Sequence, residues 1–335
     1  MKGPRWNRLL WAVALALMAG LLWWGRADLS KVLTARPLPL VACFAFTAGI
    51  AMTGVARWRI CLKSVGESGT IGIRSLFYYF MLGRVLGLVV PMEIGDFGAR
   101  TLSLKAGHSV PIGRASYSVY LDRTFDVVVS AILLVPSALF ILGVVGRDAG
   151  LAIGAGAFAA GLACFALLGR QTMELVVALF RLLLGAICKV PGIRTRVNAR
   201  AEIEALECAR HRSVAVKLYL LSGLKFLFTA LRFGAVALAM DLGAGVADMV
   251  LFAPGAQFAL VFSVTPGGLG VVDWSWLGLL LKIGVPRSDG VPYLVTQRIS
   301  VLISVLVLAA VAKALHKRGS GERTQRDRGQ QSGTE

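Results

Sequence analysis

Long apolar runs, separated by short polar or basic segments, dominate the chain. Such runs predict membrane-spanning helices, because backbone in hydrocarbon must satisfy its hydrogen bonds within the segment. The pattern predicts an all-α polytopic membrane protein with about six to eight transmembrane helices. The predicted apolar segments are 9–24, 38–56, 76–91, 116–142, 151–168, 214–240, 246–264, 269–283 and 293–315.

Two hydrophilic stretches interrupt or end this pattern. Residues 170–212 carry eight Lys/Arg and four Glu, and their middle part, 174–190, has the amphipathic pattern of a helix in the membrane interface. The polar, basic end of the chain has the composition of a disordered tail. The expected organisation is one transmembrane domain, 1–315, with pseudo-repeats 38–142 and 214–315 joined by the 170–212 linker, and a disordered tail, 316–335.

The distribution of basic residues sets the expected topology. The linker and the tail hold eight and six Lys/Arg, counting Lys313 with the tail, whereas 144–150 and 284–292 hold one each. The positive-inside rule then places the linker, the tail and both termini in the cytoplasm.

Two apolar segments are expected to form helical hairpins. The loop after the 38–56 span and the 170–212 linker are both basic and so both cytoplasmic. The spans 116–142 and 151–168 already make two crossings between them. By this count of crossings, segment 76–114 must leave and return on one side, as a re-entrant hairpin. The same count makes 246–283 either a hairpin that enters from outside or two full spans. Re-entrant backbone is tolerated only where protein or a water-filled cavity surrounds it.

The two hairpins align without gaps at an offset of 175 residues. The aligned pairs are Pro91 with Pro266, Gly95 with Gly270, Arg57 with Arg232, and Arg123 with Arg298. Chance is one explanation, since glycine and arginine are frequent here. The second explanation is an inverted repeat, and the opposite orientations expected for the hairpins favour it. Inverted repeats are typical of transporters whose broken helices meet near the membrane midplane.

Composition narrows the function. Hydrophobic residues make up 56% of the chain and charged residues only 16%, which excludes a soluble globular protein and a disordered one. The net charge of +18 would suggest nucleic acid in a soluble protein, but here the basic residues lie between the spans, so no nucleic-acid partner is expected. The five cysteines have no metal-ligand spacing, and no nucleotide or protease motif is present, so neither a cofactor nor an enzyme is expected.

Charged residues in or beside the apolar runs are the candidates for function, because a charge in hydrocarbon is costly unless it is paired or hydrated. Arginine suits phosphate, since its planar guanidinium donates two hydrogen bonds at once and stays protonated. The basic candidates are Arg84, Arg100, Arg123, Arg232 and Arg298. The acidic candidates are Glu93, Asp96, Asp122, Asp126 and Asp273.

The span around Asp122 has two interpretations. Asp122 and Asp126 share a helix face, and Arg123 can form a purely local ion pair with Asp126. Alternatively, Arg123 faces a cavity and holds a phosphate, while the two aspartates orient it.

Two of these arginines and one lysine lie deep in their spans. Arg232 is isolated, and Arg298 has no acid within one helical turn. The partner of Arg298 is therefore expected from Asp273 or Asp96, or from a ligand phosphate. Lys225 has a long stem that can still reach an interface.

The loops 91–100 and 265–273 combine proline, glycine and charge. Proline ends one half-helix and glycine permits a tight turn, so the next half-helix can point its positive end at an anion. A plain turn between spans is the alternative, and Glu93 with Asp96 also fits a proton or ion relay. The loop positions proposed to line the site are Pro91, Gly95, Pro266, Gly267, Gly268 and Gly270.

Four segments carry a resemblance to a known family. They are VVPMEIGDFGAR at 89–100, SVYLDRTFD at 118–126, SVTPGGLGVVD at 263–273 and QRISVL at 297–302. Together they resemble the flippase-like transmembrane domain of bacterial lysylphosphatidylglycerol synthases, over about residues 9–315. The positions that match the family pattern are Pro91, Gly95, Asp96, Arg100, Arg123, Pro266, Gly267, Gly268, Gly270 and Arg298.

The resemblance implies a protein of the bacterial inner membrane that moves a lipid between leaflets. No aminoacyl-transferase domain follows in this sequence, so a synthase is not expected, and the substrate is open among phospholipids and isoprenoid or glycolipids. The expected partners are a membrane lipid with a phosphate-bearing headgroup and a lipid-synthesis enzyme. The alternative is a membrane subunit that scaffolds or regulates a lipid-modifying enzyme without transport.

Overall fold

The computed structural model describes residues 4–25, 30–67, 71–187, 211–261 and 265–331, and these residues form a bundle of helices. Eleven helices follow one another along this part of the chain: α1 Pro4–Gly25, α2 Ser30–Leu33, α3 Pro37–Ser64, α4 Ile73–Val89, α5 Met92–His108, α6 Ile112–Ile141, α7 Arg147–Ile187, α8 Arg212–Ala239, α9 Val246–Val261, α10 Val271–Lys282 and α11 Arg287–Gln331.

Five of these helices are long and apolar enough to cross a membrane: α3, α6, α7, α8 and α11. Two shorter apolar stretches lie in α1 and α9. The prediction of an all-α polytopic membrane protein is thereby confirmed. With 12 residues, α10 is about 18 Å long and cannot cross a hydrocarbon core of about 30 Å. This length favours a re-entrant second hairpin, although re-entrance of either hairpin stays a prediction.

Two helices, α3 and α11, run further than the hydropathy pattern predicted, and a third, α7, joins two predicted segments. Helix α3 continues to Ser64, so that Arg57 lies inside a helix and not in a loop. Helix α7 has a kink at Leu168 (φ −109°, ψ 16°), and its second part, which ends at Ile187, covers residues 174–187 of the amphipathic helix predicted at 174–190. Helix α11 ends at Gln331, where we expected a disordered tail from residue 316. Extending a helix that already exists needs no new nucleus, so polar segments can prolong it. Linker residues 188–210 and tail residues 332–335 lie outside the described residues.

The central pair of helices, α3 and α8, is antiparallel. At the start of α3, the Arg36 backbone N–H donates to the Ala239 carbonyl at the end of α8 (2.9 Å). Helices α3 and α8 begin 175 residues apart, and so do α6 and α11. Equal spacing of the helix starts, together with the antiparallel packing, supports the predicted inverted repeat.

The bases of the two hairpins lie at opposite ends of the bundle. The base of the first hairpin (α4 and α5) lies beside His316, whose ring nitrogen is 3.3 Å from Ser75 Oγ. The base of the second hairpin (α9 and α10) lies beside Tyr293, whose hydroxyl is 3.7 Å from Met249 Sδ. Both contacts are on α11, 23 residues apart in sequence, which is about 35 Å along a helix.

The tips of the hairpins meet inside the bundle. Pro91 and Pro266 form an isolated antiparallel β-bridge, the one such bridge among the described residues. These two prolines are the counterparts of each other at the 175-residue offset. If the two halves form the predicted inverted repeat, its local two-fold axis passes between these two loops.

Candidate functional site

Eight ionisable side chains form a continuous chain in which acids and bases alternate. Three lie on one face of α5, three on α6, and one each on α3 and α8. Every neighbouring pair is within ion-pair distance. In order, the members of this ion-pair chain are Glu93, Arg123, Asp96, Arg100, Asp122, Arg57, Asp126 and Lys225. With four acids and four bases, the ion-pair chain is formally neutral.

The middle of the ion-pair chain is closed off from solvent. Arg100 Nη1 donates to Asp96 Oδ2 (3.1 Å) and Asp122 Oδ2 (2.8 Å), and its guanidinium carbon lies 4.2 Å from the Trp58 ring centroid. Arg57 donates to Asp122 and Asp126. The side chains of Arg57, Asp96 and Arg100 are 0% exposed, and that of Asp122 is 2% exposed. Charges this deep persist only because each has opposite partners.

The ends of the ion-pair chain correct two expectations about its members. Arg123 does not pair with Asp126; its Nη2 donates to Asp96 Oδ2 (2.5 Å) and its Nε lies 3.4 Å from Glu93 Oε2. Asp126 instead pairs with Arg57 and with Lys225, whose Nζ is 2.5 Å from Asp126 Oδ2. Lys225 therefore does not reach an interface. Ion pairs between helices, which sequence spacing does not reveal, therefore form in place of the local i,i+3 pair of Arg123 with Asp126.

Arg298 holds the tip of the second hairpin together. Its Nε and Nη2 donate to the two carboxylate oxygens of Asp273 (2.8 and 2.9 Å). Its Nη1 and Nη2 also donate to the carbonyls of Gly267 and Gly268 (2.8 and 3.1 Å). The partner of Arg298 is therefore Asp273, one of the two aspartates expected from the sequence. Asp273 also accepts from the Gly270 N–H (2.9 Å), at the start of α10.

The turn at this tip depends on glycine. Gly267, Gly268 and Gly270 have φ values of 58°, 68° and 81°. Side chains with a Cβ rarely adopt this left-handed region, so glycine permits the turn. This turn places two loop carbonyls where they accept hydrogen bonds from the Arg298 guanidinium.

A cavity of about 370 Å³ lies between the two halves, against the hairpin tips. Both halves contribute to its wall, from Met81 and Leu88 in the first hairpin to Leu260 and Trp276 in the second. Its wall is mostly apolar, with amides and hydroxyls between the charges. The ionisable residues that line it are Arg84, Glu93, Arg123, Asp126, Lys225, Arg232 and Arg298.

The sequence candidates divide into three groups. Arg84, Glu93, Arg123, Asp126, Arg232, Gly267 and Arg298 line the cavity. Behind the wall lie Asp96 and Asp273, which pair with the lining Arg123 and Arg298, and also Arg100 and Asp122, which continue the ion-pair chain. The remaining candidates shape the hairpins: Pro91, Gly95, Pro266, Gly268 and Gly270.

Sequence reasoning missed Arg57 and Lys225 as members of the site. Arg57 was assigned to a basic loop because the apolar run appeared to end at Ala56. Its alignment with Arg232 was a usable signal, since a residue that matches a buried arginine in the other half is a poor candidate for a loop.

Two cations of the cavity have no acidic partner. Within the described part of the chain, neither Arg84 nor Arg232 has a carboxylate at ion-pair distance. Their guanidinium carbons lie over aromatic rings, 5.7 Å from the Phe80 centroid and 5.0 Å from the Phe233 centroid, respectively. Nε of Arg232 is buried without a hydrogen-bond partner. The site therefore presents positive charge that the described residues leave unneutralised.

The cavity combines guanidinium groups with an apolar wall. Over the described ranges, no three His, Cys, Asp or Glu side chains are grouped so that they could hold a metal ion. The available chemistry is a set of guanidinium donors around an apolar chamber, which can bind an anionic group attached to an apolar body.

Comparison with known proteins identifies the family. Residues 11–309 match the family described as "Lysylphosphatidylglycerol synthase TM region". No curated protein matches the chain. The family region is the transmembrane part of those synthases and not their catalytic domain. The chain is therefore an integral membrane protein that belongs to the lysylphosphatidylglycerol synthase transmembrane-region family, a family associated with lipid handling.

Proposed function

We propose that the protein moves a phosphate-bearing lipid between the two leaflets of its membrane. The observation that carries this proposal is the cavity where hairpins from opposite ends of the bundle meet, lined by five cations and two carboxylates. Guanidinium groups bind phosphate oxygens through paired hydrogen bonds, and the apolar wall accepts the first part of the lipid tails. Access to one such site from each face in turn would carry the headgroup across.

In this proposal the cations have different tasks. Arg84 and Arg232 contact the headgroup, because no carboxylate in the described residues neutralises them. Arg123 and Arg298 line the same cavity but also hold the hairpins through Asp96 and Asp273. A proton cannot pass along the ion-pair chain, since its arginines do not deprotonate. Any coupling to protons would therefore fall to the groups other than arginine at the two cavity ends of the chain, Glu93 at one end and Asp126 with Lys225 at the other.

The test is translocation in proteoliposomes. Purified protein is reconstituted with headgroup-labelled phospholipids, and the leaflet that holds the label is followed with and without a proton gradient. We expect protein-dependent movement that Arg232→Ala reduces at least about tenfold, as expected when a phosphate contact is lost. Arg59→Ala is the matched control, because Arg59 is exposed on α3 and does not line the cavity. If folded wild-type protein moves no anionic, zwitterionic or isoprenoid lipid, the proposal is wrong, and a scaffold role takes its place.

A further inference from the structure

The charges at the cavity can be assigned one by one. Arg123 and Lys225 belong to the neutral ion-pair chain, together with Glu93 and Asp126. Arg298 is neutralised by the bidentate contact with Asp273. Two positive charges then remain at the wall, those of Arg84 and Arg232.

The excess arises from a difference between the two halves. At the 175-residue offset Arg232 corresponds to Arg57, which Asp122 and Asp126 neutralise. The counterparts of these aspartates in the second half are Gln297 and Val301, which line the cavity but carry no charge. The same offset places Ala259 opposite Arg84, so this arginine has no counterpart at all.

Aromatic contacts do not remove this charge. Phe80 and Phe233 stabilise the two guanidiniums through their ring faces, but a ring quadrupole has no net charge. A cation in a membrane interior is expected to have a partner, from the protein or from a ligand. The described residues offer none at ion-pair distance, and a ligand with two negative charges would balance both guanidiniums.

We propose that the cavity takes a terminal phosphate carrying two negative charges, as a phosphate monoester does, in preference to a singly charged phosphodiester. A phosphate monoester has a charge of about −1.5 to −2 at pH 7, whereas a diester has a single charge. Gln257, Gln297 and Thr229 supply uncharged polar groups at the same wall. This inference rests on the proposed function for its lipid context, because a soluble phosphate has the same headgroup chemistry.

Binding of short-chain lipids to the full protein in detergent tests the inference directly. The probes are dioctanoyl phosphatidic acid, a monoester; dioctanoyl phosphatidylglycerol, a diester; dioctanoyl phosphatidylcholine, a zwitterion; and glycerol 3-phosphate, a monoester without tails. We expect phosphatidic acid to bind at least about tenfold more tightly than each of the others. The preference should fall as pH is lowered through about 6, where the doubly charged monoester gains one proton and becomes singly charged, while binding of the diester stays constant.

Arg84→Gln and Arg232→Gln should each reduce the preference for phosphatidic acid, and the double variant should abolish it. Arg59→Gln is the matched control and should retain the full preference. The Gln variants remove charges without a partner, so we expect them to keep the melting temperature of the wild type. Arg232→Lys, which keeps the charge, should restore most of the preference.

The outcomes separate the inference from the proposed function. Equal binding of the three lipids, or a preference that survives in the double variant, would overturn the inference even if lipids are translocated. Equal binding of glycerol 3-phosphate and phosphatidic acid would overturn the lipid part and indicate a soluble phosphate. Tight, charge-dependent binding of phosphatidic acid without translocation supports the inference and contradicts the proposed function.

Discussion

At the scale of residues, each interior charge of the ion-pair chain is shared between two neighbouring side chains. Each interior member has two neighbours of opposite charge, and Asp122 lies between Arg57 and Arg100. Removing one acid therefore leaves two arginines without it. Removing one partner of a buried ion pair is strongly destabilising, because the remaining charge stays buried without an opposite charge beside it.

Asp122→Asn should accordingly destabilise the fold by about 3–5 kcal/mol. The substitution keeps the shape of the side chain but removes its charge from between Arg57 and Arg100. Thermal unfolding of the purified protein in detergent measures the effect. Asp148→Asn is the matched control, since the Asp148 side chain is 95% exposed and should leave the melting temperature unchanged. Equal melting temperatures for both variants would show that the ion-pair chain does not stabilise the fold.

The sequence predicted isolated charges better than connected ones. It identified Arg232 as isolated, and it named Asp273 as a partner for Arg298, because few acids lie in apolar segments. It could not connect Arg57 or Lys225 with Asp126, because these contacts depend on how α3, α6 and α8 pack together. Helix adjacency is set by packing over the whole bundle, which no local pattern encodes.

At the scale of elements, the first hairpin depends on three glycines. A Cβ placed on Gly95 of α5 would lie 2.7 Å from the Gly87 backbone nitrogen of α4. A Cβ on Gly83 would lie 2.7 Å from Asp96 Oδ1. Small residues at this spacing let two membrane helices approach closely, as in other small-xxx-small interfaces. The close approach also brings α5, with its three charges, against α6.

Gly95→Leu should separate α4 from α5 and destabilise the protein by about 1–3 kcal/mol, the usual cost of overpacking. Gly98→Leu is the matched control on the same helix, because nothing lies within 4 Å of a Cβ at Gly98. Both changes alter helix propensity equally, so the difference between their melting temperatures measures the contact with α4. A Gly98→Leu variant as unstable as Gly95→Leu would contradict this account of the hairpin.

Hydropathy predicted the helices well and their ends poorly. The apolar runs gave α6 and α8 within a few residues, because lipid-facing segments must be apolar. The ends of α3 and α11 lie in polar sequence, where a helix that has already formed continues at low cost. Hydropathy measures burial in lipid and carries no information about such extensions.

At the scale of the whole molecule, the halves meet at their hairpin tips. The Pro91–Pro266 bridge closes the space between the hairpins, beside the cavity. Access to the cavity from either face then requires that the tips separate, if the protein works as proposed.

A disulfide at the bridge tests this requirement. Residues opposite each other in an antiparallel bridge have Cα atoms about 4.5–5.5 Å apart, within the range that a disulfide spans. Pro91→Cys with Pro266→Cys, in a background without the native cysteines, should crosslink under mild oxidation and stop translocation until reduced. Pro91→Cys with Ile303→Cys, a 55% exposed position on α11, is the matched control and should not crosslink. A crosslinked protein that still transports lipid would show that the tips do not gate the cavity.

The pairing of Pro91 with its own counterpart has a consequence for energetics. If the two halves were identical, exchanging their conformations would turn a state open to one side into a state open to the other at no cost in free energy. If the protein alternates as proposed, its resting preference for one side therefore resides at positions where the halves differ. One such difference is electrostatic: Arg57 pairs with two aspartates, whereas Gln297 and Val301 stand at the corresponding positions in the half that contains Arg232. An anion bound at Arg232 would reduce this difference and bring the populations of the two states, each open to one side, closer to equality. The bound lipid itself would then influence how often the protein changes from one state to the other.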